Sequence, residues 1–170
     1  MAEPGVTITP RDRSLASIEA RRGQADAVAG VIAATYDLDL PRSARWTGAN
    51  GISFAWAGPG QWTAIATRPV ARDLAGQLAG LAAVTDQSDG WMLTEISGPR
   101  ARDALAKMLP IDLDRGVLPP GAVALTKAGH IDVRLRHLDA GIYELAAFRS
   151  LAADLAGWLR SSALEFGIAP

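Results

Sequence analysis

The residues able to do chemistry are few and scattered. His130 and His137 are the only histidines. Neither lies in an HExxH arrangement or beside a cysteine, so their spacing builds no metal site. His137 falls in a run of alternating polar and apolar residues and is expected to point to solvent from a strand. Glu19, Glu95, Glu144 and Glu165 stand singly on predicted strands and a helix, with no pairing visible in the sequence of the kind that general acid–base work needs. Asp86-Gln87-Ser88-Asp89-Gly90 has the oxygen ligands of a calcium loop, but Ser97 stands where an EF-hand needs its bidentate glutamate. A turn closed by side-chain-to-backbone hydrogen bonds accounts for that segment better. Neither GxGxxG nor GxxxxGKS/T follows a strand, so no nucleotide cradle is marked, and no serine sits in GxSxG. No catalytic residue and no metal ligand is assigned.

The elements that would position any site follow from periodicity and punctuation. Residues 1–13 read as a loosely held N-terminal arm in which Val6 to Thr9 could add an edge strand. Ser14 to Ala20 alternates as a strand, and Gln24 to Tyr36 is an amphipathic helix with Val28, Val31, Ile32 and Thr35 on one face. Short strands follow at Arg45 to Thr47 and Ile52 to Ala57. Gly58-Pro59-Gly60 makes a turn, and Trp62 to Thr67 returns as a strand. Pro69 opens a helix that faces Leu74, Leu78 and Leu81 to the core. Asp86 to Gly90 is a tight turn into a strand from Trp91 to Ile96. Pro99 then opens a second helix with Ala101, Ala104, Leu105, Met108 and Leu109 as its apolar stripe. On its polar face Asp103 and Lys107 are spaced to pair. Val123 to Lys127, Ile131 to Leu138 and Ile142 to Ala147 are three more strands. A last helix, from about Leu151 to Phe166, places Leu155, Trp158, Leu159 and Phe166 on one stripe.

That order contains a repeat. WTAIATRPVARDLAGQL (Trp62 to Leu78) lies without gaps over YELAAFRSLAADLAGWL (Tyr143 to Leu159), with Arg68 over Arg149 and both DLAG tetrads in register. ADAVA at Ala25 to Ala29 lies over RDALA at Arg102 to Ala106 at a slightly shorter offset. A separation on the order of eighty residues suits a duplicated half-domain and is too long for a solenoid repeat. The expected fold is α+β, made of duplicated strand–helix–three strands–helix halves over about 14–82 and 83–170 within one domain, with helices covering antiparallel sheets.

Several short stretches carry a resemblance. TDQSDG, ISGPRARDAL, PIDL and LPPGAV, with RRGQADAVAG, WAGPGQW and the ending LAGWL and EFG, resemble in the same order the gamma-subunit family of heterotetrameric sarcosine oxidase. The central stretch is also similar, more distantly, to the folate-binding fold of the glycine-cleavage T protein, itself a duplication of such a half. The resemblance implies an accessory subunit packed with alpha, beta and delta subunits. That assembly oxidatively demethylates sarcosine to glycine, with tetrahydrofolate as one-carbon acceptor. The FAD, FMN and NAD it implies belong to the larger subunits, and no cofactor is expected on this chain. The isolated chain is then expected to be non-catalytic. A stand-alone folate-binding one-carbon transfer protein of the T-protein type is the alternative, and a generic interaction module for another amine oxidase is a third reading.

In the T-protein-like fold, a strand led by a glycine-rich turn carries an aspartate that faces folate. AGHID (Ala128 to Asp132) resembles that place and makes Asp132 the folate-site candidate. The family pattern has two consecutive acids, whereas Val133 follows here. The alternation of Asp132, Arg134 and Arg136 with Val133 and Leu135 reads, on its own, as a solvent-facing position and weighs against folate binding. Arg68 and Arg149, each just before a helix, could cap it or bind a carboxylate, with plain solvation the simpler account. Tryptophan is in surplus, with five in 170 residues. Trp158 lies on an apolar helix stripe and is expected in the core. Trp46, Trp56, Trp62 and Trp91 flank turns or strand edges and are candidate partner-interface anchors, sealing the ends of the core being the other use.

Composition limits the classes that remain. The chain has no cysteine and a formal net charge of −1. That excludes a disulfide framework or thiolate site, and it disfavours a nucleic-acid partner, which would call for a basic patch. No apolar segment has the length of a membrane span, and MAEPGVTITPRDR lacks the apolar core of a signal peptide, so a cytoplasmic location is expected. Self-association of the isolated chain through a partner surface is a further expectation.

Overall fold

The computed structural model describes residues 4–169, so residues 1–3 of the arm and Pro170 lie outside the described residues. In chain order the elements are β1 (Thr7–Arg11), β2 (Ser14–Ala20), α1 (Ala25–Tyr36), β3 (Trp46–Ala49), β4 (Ile52–Gly58), β5 (Gln61–Ala66), α2 (Ala71–Gln77), β6 (Ala82–Asp86), β7 (Trp91–Ser97), α3 (Ala101–Ala106), β8 (Val123–Ala128), β9 (Ile131–Asp139), β10 (Ile142–Phe148) and α4 (Ala152–Ala163). Single 3₁₀ turns, Arg149–Leu151 and Leu164–Phe166, flank α4.

The fold is α+β and duplicated. One unit is Asp12–Asp89, and the other joins the residues up to Arg11 to those from Gly90 onward. The first holds the sheet β3-β4-β5-β2-β6 and the second holds β8-β9-β10-β7-β1, every neighbouring pair antiparallel. Strand for strand, these are the same order. Each sheet contains the four strands of one repeat plus one edge strand that comes from the other repeat's leading segment. β1 precedes β2 in sequence but pairs with β7, while β6 precedes β7 but pairs with β2. The unit boundary therefore falls between Asp89 and Gly90, after β6, rather than at the expected 82/83.

The N-terminal segment, expected as a loose arm in which Val6 to Thr9 could add an edge strand, does supply one, at Thr7–Arg11. Thr7 through Arg11 pair with Ser97 through Leu93. Val6 is fully buried and bridges to Ile168. The cause is the backbone at Gly5 and Gly98, which lets two chain segments meet closely. Gly98 has φ +118, and a Cβ there would lie 2.6 Å from the Gly5 carbonyl oxygen.

Each unit has its own apolar core between sheet and helices. In Asp12–Asp89, Val28 and Ile32 of α1 and Leu74 with Leu78 around α2 pack on Ile18, Phe54, Trp62 and Ala64. In the other unit, Ala101, Ala104 and Leu105 of α3 and Leu155 with Leu159 of α4 pack on Ile96, Ile131, Leu135, Tyr143 and Leu145. The repeat-equivalent pairs Leu74/Leu155 and Leu78/Leu159 are all 1 % exposed or less. Each such leucine contributes about 1.5–3 kcal/mol by leaving water. α2 and α3 span only 7 and 6 residues, too short to stand without this packing.

Three expectations are corrected in the second unit. His137 is fully buried, because Ile131, Val133 and Leu135 share its side of β9. Its ring stacks on Tyr143 at 4.3 Å between centroids, and Nδ1 lies 2.7 Å from the Leu118 carbonyl oxygen. Trp158 is 46 % exposed, since Leu155, Leu159, Ser162 and Ala163 make up the buried side of α4. Asp103 and Lys107 do not pair. Asp103 accepts from Arg100 at 2.6 Å, and Lys107 reaches Glu165 at 2.9 Å. Arg100 and Lys107 also lie over the Phe166 ring, which directs both cations to the end of the chain.

Candidate functional site

The β8–β9 hairpin turns at Gly129, whose φ of +60 suits glycine. Register then places Asp132 directly opposite Lys127, and Lys127 Nζ donates to Asp132 Oδ1 at 2.6 Å. Both side chains are more than half exposed, so the pair contributes no more than about 1 kcal/mol. Asp132 lies on the sheet face away from the helices, with Arg134 and Arg136. Val133 is buried on the helix side. The second acid of the folate pattern thus has no counterpart, and Asp132 already has a cationic partner. These residues do not form a two-acid folate pocket.

The same sheet face brings Asp132 beside another candidate, Trp91. Trp91 at the start of β7 sits directly opposite Phe148 at the end of β10, with ring centroids 4.4 Å apart. The Arg134 guanidinium lies 4.4 Å over the Trp91 ring, and burial pushes its pKa below the usual arginine value. Arg149, which follows β10, donates from Nη2 to the Trp91 carbonyl oxygen at 3.1 Å and fixes the corner. Trp91, Phe148, Arg134 and Asp132 frame, with Leu125, an open groove of about 390 Å³. Leu125, on edge strand β8, is 66 % exposed and Phe148, at the end of β10, 49 %, an unusual outlay of apolar surface on one sheet face. Next to them, β8 ends its sheet and offers unpaired backbone groups along its outer side.

The groove brings together a carboxylate paired with a lysine, an aromatic pair and an arginine. Further along this face the charges are structural. Glu144 stands opposite Arg136 on β9 and opposite Glu95 on β7. Arg136 bonds Glu144 at 2.6 Å with both side chains under 10 % exposed, and Arg11 holds Glu95 by two hydrogen bonds at 2.9 and 3.2 Å. Of the glutamates that looked single in sequence, Glu95 and Glu144 are therefore paired with arginines and Glu165 with Lys107. Among the described residues no His, Asp and Glu group is placed to hold a metal ion.

The other tryptophan candidates lie in Asp12–Asp89. Trp62 is corrected from interface anchor to core residue. It is 4 % exposed, and its Nε1 donates to the Pro41 carbonyl oxygen at 2.8 Å. Trp56 is half-buried beside it and lines a pocket of about 170 Å³ with Pro41 and Arg42. Trp46 is half-buried on edge strand β3. Arg68 pairs with Asp73 at 3.2 Å on the surface. The Asp86 turn is closed as the sequence predicts. Asp86 accepts from the Ser88 backbone N–H at 2.9 Å and from its hydroxyl at 2.6 Å, which lowers the Asp86 pKa. What sequence reasoning missed is the groove itself. Phe148 and Leu125 gave no signal there, and only strand register assembles them with Trp91.

No family model and no curated protein sequence matches the chain. Solved structures do. A chain of the heterotetrameric sarcosine oxidase from Corynebacterium sp. U-96, in complex with pyrrole 2-carboxylate, superposes with a TM-score of 0.87 at 22% identity over 100% of this chain and 89% of that one. The glycine cleavage system aminomethyltransferase T from Bartonella henselae superposes with a TM-score of 0.66 at 14% identity over 98% of this chain and 47% of that one. The chain therefore has the fold of a sarcosine oxidase chain and, more distantly, of about half of the T protein. Among the described residues no helix is long and apolar enough to cross a membrane.

Proposed function

We propose that the chain is the accessory gamma-type subunit of a heterotetrameric oxidoreductase of the sarcosine oxidase kind, and that it contributes no catalytic group of its own. The observation that carries this reading is the near-complete mutual coverage, 100% of this chain against 89% of the sarcosine oxidase chain, at a TM-score of 0.87. The T protein, by contrast, has more than half its length outside the match. Flavins, NAD and tetrahydrofolate then belong to the alpha, beta and delta partners, where sarcosine is demethylated. The exposed Leu125, Phe148 and Trp91 surface is the partner contact in this reading, since large half-covered aromatics anchor interfaces.

The test is co-expression of the tagged chain with alpha, beta and delta subunits of the sarcosine oxidase kind. Wild-type chain should bring them down, while Leu125→Lys combined with Phe148→Asp should not, with circular dichroism unchanged. Retention of the partners by the double variant would move the interface elsewhere. A stand-alone folate protein would instead give saturable heat on titration with tetrahydrofolate, and the exposed, lysine-paired Asp132 argues against that outcome.

A further inference from the structure

A second cavity, of about 620 Å³, opens where the β7–α3 turn meets the β9–β10 turn, and it is lined by Gly98, Arg102, Asp103, Arg115, Ile142 and Tyr143 among others. Its size falls in the usual range for a small-molecule site, roughly 300–1,000 Å³. Arg102 and Arg115 come from α3 and from the segment after it, 13 positions on, so only the fold brings them together. Neither makes an ion pair or hydrogen bond among the described residues. Asp103 carries the one negative charge in this wall, and Arg100 already holds it at 2.6 Å.

Tyr143 supplies the second, independent observation. It is 2 % exposed, yet its hydroxyl has no hydrogen-bond partner among the described residues. Its repeat equivalent, Trp62, is equally buried and does place its N–H on a backbone carbonyl. The small exposed part of Tyr143 faces this cavity, and its hydroxyl is not among the buried atoms left without a partner, so it is open to a ligand that enters. Burial raises the Tyr143 pKa, with the positive charges of Arg102 and Arg115, which line the same cavity, acting the other way. The phenol therefore remains a donor at neutral pH.

We propose that this cavity binds a small organic carboxylate, held by the Arg102 and Arg115 guanidinium groups and by the Tyr143 hydroxyl, with its apolar part against Ile142 and Pro99. A planar guanidinium matches a carboxylate with two parallel hydrogen bonds. The nearby Asp103 disfavours a second negative charge, which selects a carboxylate over a phosphate dianion.

The experiment titrates benzoate into the full-length chain and follows the Gly98 and Gly141 amides by heteronuclear NMR, with inorganic phosphate, sodium chloride and a glutamate-rich peptide as parallel arms. Saturable benzoate shifts are expected. They should weaken about tenfold or more in Arg115→Gln and in Arg102→Gln, and severalfold in Tyr143→Phe, which keeps the ring stacked on His137. The arginines are exposed, so those variants are expected to fold, and circular dichroism checks it. Equal shifts with chloride, tighter binding of phosphate or of the peptide, or benzoate shifts unchanged in both arginine variants would each overturn the assignment.

Discussion

At the scale of single residues, the buried Arg136–Glu144 pair is the most consequential interaction on the open face of the second sheet. Two charges less than 10 % exposed and 2.6 Å apart compensate one another where little water reaches. Removing Glu144 takes the adjacent carboxylate from a poorly hydrated guanidinium, so Glu144→Leu should lower unfolding stability by about 3–5 kcal/mol in urea titrations. The double variant Arg136→Leu with Glu144→Leu should recover most of that loss. Equal loss in single and double variants would show that packing, not charge, is at stake. Asp86 gives a pH-dependent case. The Ser88 hydroxyl and then its N–H lower the Asp86 pKa, so the folded value lies below the unfolded one. The resulting stability is present above the unfolded pKa and is lost as pH falls through the folded one. Ser88→Ala should move the Asp86 carboxyl back up toward the usual carboxylate value in an NMR titration. An unmoved titration would mean that the backbone N–H alone sets it.

At the scale of elements, the exchanged edge strands bind the sequence repeats together. β1 reaches β7 only because Gly5 and Gly98 allow close backbone approach; Arg100 N–H bonds the Gly5 carbonyl at 3.0 Å, and Gly98 N–H the Gly141 carbonyl at 3.1 Å. Gly98→Ala puts a Cβ 2.6 Å from the Gly5 oxygen at a left-handed φ. It should cost about 1–3 kcal/mol and should speed amide exchange selectively along β1 and β7. Uniform exchange across the sheet would contradict that placement. Most elements were legible because their periods were clean. β2 is found at Ser14–Ala20 as expected, and the gapless Trp62-to-Leu78 match overlays β5 and α2 on β10 and α4. β1 was underread because TITPR has a proline and too little apolar alternation to outweigh a terminal position. His137 was misassigned by residue type although its parity on β9, shared with Val133 and Leu135, already turned it inward.

At the scale of the whole molecule, fold and function were legible to different depths. The duplication and the α+β class lie in local pattern and show in sequence. The site depends on register between β7, β8, β9 and β10, which sequence spacing does not encode. Trp91 and Asp132 were each singled out, but their shared groove with Phe148 and Leu125 exists only once the strands are paired. Trp62 had the same sequence signature as Trp91 and went to the core, because α1 and α2 cover its side of β5. The most direct measurement is isolation of the tagged chain from its native cells, with mass spectrometry of the bound proteins, a visible absorption spectrum and an oxygen-uptake assay with sarcosine. The account predicts large subunits, flavin absorbance and sarcosine-dependent oxygen consumption in the same fraction. A colourless chain recovered alone from cells that express the large subunits would contradict it.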